Sequence, residues 1–289
     1  MNNKNTYNFK MLGLVTLYNA EPQEATANIK RYIGDIDALI IWDNSPLEKN
    51  LQKQVLGSLA NETEKIIWHG DGQNCYIAPA INYAWHYADE HGFDLILLMD
   101  QDSQWENFPF YRKKVEEHFS SDTQCAFTPY IAGGDKWPIV EKEQLRRVFI
   151  TSGTVLTVKS LNAIDGADLK FPLDALDHDI SIRLQKASYK IISITCCILY
   201  HTIGTPRRSK YLKFYTLNYS RERIYSITRS HLLKLRKHWD WFTYNEKLFI
   251  LKTYFVVPPI LMITSEADKI GRLRMFFKGI KDGIKEQLR

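Results

Sequence analysis

The segment Leu95-Ile96-Leu97-Leu98-Met99-Asp100-Gln101-Asp102-Ser103 decides the fold class. Its unbroken apolar run fits a strand buried on both faces, and it ends in acid where such a strand leaves a sheet. Residues i and i+2 of a strand point the same way, so Asp100 and Asp102 can converge on one point. Two carboxylates placed like this suit a hard cation with oxygen ligands, Mg2+ or Mn2+. The competing explanation is an Asp-rich turn that caps the following helix.

Outward toward the amino end, strand-like and helical stretches alternate. Residues 10–18, 37–42 and 65–69 read as strands, and 22–34, 47–59 and 77–92 as helices. This alternation predicts an α/β fold, a mostly parallel sheet flanked by helices. Ligands in such sheets bind beyond the carboxyl ends of the strands, which puts Asn19, Asp43 and residues 100–103 on one edge of one crevice. An acid leaving the second strand can accept from a base N–H or a ribose hydroxyl, although Asp43-Asn44-Ser45-Pro46 is also a strong turn sequence. A loop from Gly70 through Asn74 opens a helix whose first amides could face a phosphate, although a plain strand-to-helix loop is the simpler explanation. Neither a GxGxxG after the first strand nor a P-loop occurs, which argues against ordinary dinucleotide and ATPase chemistry.

Toward the carboxyl end the pattern is more irregular. Apolar pieces at 125–131 and 148–158 precede a helix near 175–187 and a strand at 190–200. Around that helix start sit Asp174, Asp177 and Asp179, where one carboxylate could deprotonate a hydroxyl and where capping is the plainer explanation. After His201 the chain reads as helical throughout, with a boundary near residues 204–206. That gives a domain at 1–205 and a basic, aromatic-rich helical region at 206–289.

Charge follows the same division. The 289 residues carry net +5, but from His201 onward 19 Lys and Arg face 7 Asp and Glu, a net of +12, leaving −7 for the first 200. Such a tail faces something anionic. Residues 270–288 can form a helix with Leu273, Phe276, Phe277, Ile280 and Ile284 on one side. It would either lie in an anionic membrane surface or pack on the catalytic domain with a solvated basic face. No apolar run approaches the ~20 residues that cross a bilayer, and the longest, 254–264, contains Pro258-Pro259. The polar start and four cysteines without metal-site spacing fit a cytoplasmic protein.

In order, VTLYN (15–19), WDNSP (42–46), NxxIAPAxN (74–82), LMDQDS (98–103), SGTVL (152–156), LDALDHDISIRL (173–184) and HTIG (201–204) resemble inverting glycosyltransferase family 2. The closer resemblance is to its bacterial rhamnosyltransferase branch, over roughly residues 10–225. It implies the GT-A nucleotide-diphospho-sugar transferase fold, with nucleotide-sugar binding over about 10–105 and the acceptor and catalytic part over about 106–205. Asp43 would read a pyrimidine base with Thr16 and Tyr18 nearby. Asp100 would contact the ribose or sugar, Asp102 would ligate Mg2+ or Mn2+, and His201 would approach the metal or diphosphate. Asp177 would be the catalytic base, six residues before Arg183, with Arg207 or Arg208 offsetting leaving-group charge. Leu176 stands where the wider family carries Glu, which would let Asp174 or Asp179 share the work, and Glu222 stands where the branch carries Asn.

The function so implied is inverting transfer of rhamnose from dTDP-rhamnose to a hydroxyl of a glycan or lipid-linked oligosaccharide in cell-surface polysaccharide synthesis. The protein would work in the cytoplasm, with peripheral contact at the inner face of the plasma membrane through its basic tail. A UDP-hexose donor, UDP-galactose or UDP-glucose, is the nearer rival. A degenerate nucleotide-binding or a nucleic-acid-binding protein is the rival of another class, although nucleic acid is not expected because no recognition module is present.

Overall fold

A computed structural model describes residues 9–119, 124–133, 139–140, 142–201, 207–208, 215–216 and 218–288. The chain divides into two compact units, residues 1–172 with 183–202, and residues 173–182 with 203–289.

The first unit is built on one curled sheet. Its amino-terminal strands β1 (Met11–Leu17), β2 (Ala38–Asp43), β3 (Ile66–His69) and β4 (Leu95–Asp100) pair in parallel in the order β3-β2-β1-β4. β1 and β4 are buried nearly end to end, as their continuous apolar sequences require of strands covered on both faces. The short β5 (Gln104–Trp105) follows, then β6 (Cys125–Ala132), β7 (Gln144–Arg146), β8 (Val155–Thr157) and β9 (Lys190–Tyr200). β8 runs antiparallel between β4 and β6, β9 runs parallel to β6, and β5 and β7 are antiparallel to β9. Helices α1 (Pro22–Ile29), α2 (Leu51–Ser58), α3 (Ala78–Glu90), α4 (Phe108–His118) and α5 (Val158–Ile164) complete this unit. Beneath the strand ends, Trp105, Phe108 and Tyr111 pack with Met99 and Leu199 into its core.

Several boundaries differ from the sequence pattern for local reasons. The stretch 47–59 is a 3-10 turn, Leu47–Lys49, and α2, parted by Asn50 in the left-handed region (φ 51°). Likewise 22–34 ends as a helix at Ile29 and resumes as a 3-10 turn at Ile33–Asp35. Within 148–158 only Val155–Thr157 is strand, because Gly153 at φ 77° turns the chain just before it.

The helix α6 (Leu176–Lys186) begins in the second unit, which continues with α7 (Arg221–Lys237), α8 (Tyr244–Leu251), α9 (Val257–Ser265) and α10 (Lys269–Lys285). It is not helical throughout, since β10 (Arg207–Arg208) and β11 (Tyr215–Thr216) form a small antiparallel ladder. α10 lies on α7 through Gly279 and Gly283. A Cβ on Gly279 would stand 2.9 Å from the Tyr225 carbonyl oxygen, and one on Gly283 would stand 3.3 Å from that of Arg229. Phe276 is buried at that contact, with Leu273 and Ile280 packed beside it, so part of the apolar face expected to meet a membrane is covered by protein. Ile270, Phe277 and Ile284 stay exposed.

The run expected to be too short to span a bilayer is part of one continuous helix, Tyr244–Ser265, of 22 residues. By length and composition alone it is apolar enough to cross a membrane, and only 11% of its most apolar stretch is buried. The prolines do not break it. They follow directly on a widened π-helical turn at Lys252–Val256, the kind of local irregularity that accommodates residues lacking an amide proton.

Candidate active site

The strand order reverses at β1, whose neighbours are β2 on one side and β4 on the other. A crevice opens where the connections diverge, beyond the carboxyl ends of these strands. Register aligns the candidate residues along it, Thr16 beside Asp100 and Leu17 beside Asp43.

Asp100 is the last residue of β4, and residues 101–102 form a turn. Asp100 and Asp102 are therefore brought together by that turn, closed by the Ser103 amide on the Asp100 carbonyl (3.3 Å), rather than by strand alternation. Ligand atoms of Asp100, Asp102 and His201 lie within 4.8 Å of one another. The His201 Nδ1 sits 2.9 Å from the Ser103 hydroxyl and 3.4 Å from Asp102 Oδ1. The Asp102 carboxylate raises the His201 pKa, burial opposes the rise, and the charge of Asp100 adds to it. Two carboxylates and one imidazole make a donor set that fits Mg2+ or Mn2+, with hard oxygens dominant.

The support beneath this cluster comes from residues that the motif reading did not assign. Ser152, fully buried, donates its hydroxyl proton to Ser103 Oγ (2.8 Å) and accepts the Asp100 amide (3.0 Å). Its placement follows from Gly153. That amide donates to the Leu98 carbonyl (2.7 Å), and a Cβ there would stand 2.7 Å from Leu199 Cδ2 and 2.8 Å from Pro129 Cγ. The signal was present as SGT at 152–154. Gln101 is the other such residue, holding the Tyr18 backbone through its side chain (2.7 and 3.3 Å) while its carbonyl accepts from Asn28 (2.8 Å).

Asp43 ends β2, with one carboxylate oxygen accepting the Ser45 amide (2.8 Å). The Asn19 amide donates to the Ser45 hydroxyl (2.8 Å), so the first two strand ends are tied together. Tyr18 is half exposed there. Gly70 passes against this edge, since a Cβ on it would stand 2.8 Å from the Asp43 carbonyl oxygen. Asn74 accepts the Tyr76 amide (3.0 Å) and helps hold Tyr76 at φ 64°. The Asn44 side chain closes the same loop by accepting the Cys75 amide (2.9 Å) and donating to the Tyr76 carbonyl (3.0 Å). The leading amides of α3 are not free for a phosphate, because Ile77 and Ala78 both donate to the Pro172 carbonyl (3.0 Å each).

The acids of residues 173–184 belong to the second unit and have separate fates. Asp179 is fully buried and accepts from Lys237 and His238, each at 2.8 Å, a structural pairing that removes it from proton transfer. Asp174 is buried and pairs with Arg223 at 2.9 Å, and burial raises its pKa more than Arg223 lowers it. Asp177, at the start of α6, is only half-buried, with Oδ1 accepting the His178 amide (2.8 Å). Arg183 belongs to the first unit, donating to the Ile164 (2.6 Å) and Gly166 (2.7 Å) carbonyls. The side chains of Arg207 and Arg208, and residues 202–204 of the HTIG segment, lie outside the described residues.

No protein-family model matches the chain, and no curated protein matches it. Solved structures do. GalNAc-T7 with UDP, GalNAc and Mn2+ aligns at a TM-score of 0.60 and 10% identity over 97% of this chain. The chain spans 57% of the length of that protein. The mannosyltransferase PcManGT from Pyrobaculum calidifontis, in complex with GDP-Man and Mn2+, aligns at 0.59 and 10% identity, covering 98% of this chain and 77% of that one. Residues 1–349 of S. aureus TarS with UDP-GlcNAc align at 0.57 and 15% identity, covering 96% and 81%. At these identities the likeness establishes the fold, which is the GT-A fold of nucleotide-sugar glycosyltransferases with a helical carboxyl-terminal extension.

Proposed function

We propose that this protein is a metal-dependent, inverting glycosyltransferase of family 2 that moves a sugar, rhamnose from dTDP-rhamnose, to a hydroxyl of a glycan acceptor in cell-surface polysaccharide synthesis. The observation that carries the reading is the cluster of Asp100, Asp102 and His201 at the switch point of a GT-A sheet. The rhamnosyl donor rests on the run of motifs from residue 15 to residue 204.

The protein's residues divide the work. Asp43, Thr16 and Tyr18 line the strand ends where a base and ribose would lie. Asp100, Asp102 and His201 would hold Mg2+ or Mn2+, and a bound divalent ion neutralises charge on a departing diphosphate. Asp177 takes the proton of the acceptor hydroxyl as its oxygen bonds to the anomeric carbon. The bond from that carbon to the diphosphate oxygen breaks on the opposite face, so the configuration inverts. The acceptor glycan is presented at an anionic membrane face, a reading supported by the basic tail and by the exposed apolar helix Tyr244–Ser265.

The deciding experiment is a donor-hydrolysis screen over nucleotide sugars with Mg2+ and with Mn2+. Preferential cleavage of dTDP-rhamnose is expected. Preference for a UDP-hexose transfers the assignment to that donor, and no cleavage of any donor removes the enzyme reading. Asp177→Asn is expected to lower transfer by about 10²–10⁴-fold while nucleotide affinity stays unchanged. Near-normal turnover in that variant removes Asp177 from proton transfer.

A further inference from the structure

The second unit contains an open pocket of about 450 Å3 that the donor chemistry leaves unused. Its volume lies within the roughly 300–1,000 Å3 of small-molecule sites. α7 forms one wall and the helix Tyr244–Ser265 the other, and the two walls differ in character.

One end is polar and incompletely satisfied. Asp174 and His231 line it at 7% and 6% exposure, and although the Asp174 carboxylate meets Arg223 and Ser226, its Oδ2 and the His231 Nδ1 have no hydrogen-bond partner among the described residues. A buried polar atom left unpaired is destabilising, so two in one cavity point to a ligand that supplies the missing bonds. Tyr219 adds a ring and a hydroxyl at the same end. Arg223 is already paired with Asp174 at 2.9 Å, so this end suits a neutral hydroxyl-bearing group better than a phosphate.

The lining from α9 is mainly apolar, with Val257, Pro258, Leu261 and Met262, and Glu266 just after it is paired with Arg272. The outer surface of that helix leaves Phe249 (66%), Val256 (54%) and Ile260 (48%) exposed.

We propose that this pocket binds an amphipathic molecule, a hydroxyl-bearing head joined to an aliphatic chain, with the head at Asp174, Tyr219 and His231 and the chain along Val257 and Leu261. Its identification as the acceptor rests on the transfer reading, whereas occupancy of the pocket does not. The head gains two hydrogen bonds to buried partners, and the chain gains from each methylene removed from water. Either part alone forfeits one of these contributions.

The test uses the full chain and n-octyl β-glucoside below its critical micelle concentration, followed by isothermal titration. Glucose and 1-octanol serve as single-part probes. Saturable binding of the octyl glucoside, at least tenfold tighter than either probe, is expected. Asp174→Asn and Leu261→Ser should each weaken it at least fivefold, whereas Phe277→Ser, exposed on α10, should leave it unchanged. If Asp174→Asn alters the circular dichroism, Tyr219→Phe replaces it as the polar variant. Absence of saturable binding overturns the proposal, as does glucose binding as tightly as its octyl glycoside, or binding that survives both pocket variants. Donor hydrolysis at the first-unit cluster is measured on the same preparation, so failure of one reading is separable from failure of the other.

Discussion

At the scale of single residues, the side chains beneath the acidic pair are as informative as the pair. Ser152 bonds both the Asp100 amide and the Ser103 hydroxyl, and Ser103 in turn faces His201, so one buried hydroxyl holds Asp100 directly and His201 at one remove. Loss of such supporting bonds typically lowers metal affinity 10–100-fold. Ser152→Ala should therefore weaken Mn2+ binding by about tenfold or more with the fold intact, as read by titration of the free-ion paramagnetic resonance signal. An unchanged affinity would make the serine a packing residue. In the second unit Lys234 is 1% exposed, its ammonium 5.3 Å from the Tyr254 ring. Burial lowers its pKa to about 8, with the charge of Asp177 opposing, while His231 and His178 are lowered mainly by burial as well. Between about 8 and the ordinary lysine value the unfolded chain binds more protons, so stability rises with pH across that window. Below the ordinary histidine range the unfolded chain again binds more protons through His178 and His231, so stability falls on acidification. Tyr254, raised to about 12 chiefly by burial, acts with opposite sign only above the ordinary tyrosine range. Lys234→Met should abolish the rise above pH 8 and stabilise the protein at pH 7 by up to about 3 kcal/mol, measured by guanidinium unfolding. A pH profile identical to that of the parent would show that the ammonium is solvated.

At the scale of elements, the parallel strands were legible because burial on both faces leaves unbroken apolar runs, as in Leu95–Met99. Their ends were legible too, because Asp43 and Asp100 stop those runs abruptly. The convergence of Asp100 with Asp102 was anticipated for a different reason, since a turn and not the pleat brings them together. The α3 amides misled because their partner, the Pro172 carbonyl, is far away in sequence and no local pattern announces it. Asp179, which the sequence left as a residue that could share the work of Asp177, is assigned only by the packing of Lys237 and His238. Pro258-Pro259 suggested a break, but a π-helical turn before them absorbs both rings. The segment Ser152-Gly153-Thr154 carries the sharpest element-scale prediction. Gly153 sits at φ 77° with Leu199 and Pro129 against the place a Cβ would occupy. Gly153→Ala combines left-handed strain of about 1–2 kcal/mol per residue with a steric clash, so a loss of about 2 kcal/mol or more is expected in urea unfolding. Because this turn also positions Ser152, donor hydrolysis should fall with it. Full activity together with undiminished stability would mean that the turn can relax around a methyl group.

At the scale of the whole molecule, charge and apolarity are segregated along the chain. The first 200 residues carry net −7 and the remainder +12, and that remainder also holds the exposed apolar helix Tyr244–Ser265. α10 cannot present its full apolar face, since Phe276 is buried against α7 and Leu273 and Ile280 pack beside it. For the proposed membrane contact the larger exposed apolar surface is therefore that of α8–α9, with Ile270, Phe277 and Ile284 of α10 exposed as well and cations such as Lys269, Arg274 and Lys278 on α10. Cations near an anionic leaflet contribute about 1 kcal/mol each, and that contribution fades within a Debye length as salt is added. Apolar insertion does not fade in this way, so the two contributions separate in one experiment. The protein should sediment with vesicles containing anionic phosphatidylserine at low ionic strength, and binding should weaken several-fold, without vanishing, in 0.5 M salt. Phe249→Glu with Ile260→Glu, both at exposed positions, should remove the salt-resistant part while leaving donor hydrolysis at the first-unit cluster intact. Failure of the unmodified protein to bind anionic vesicles at low salt would refute membrane contact. Binding that ignored the double substitution would move that contact away from α8–α9 and onto the basic surface alone.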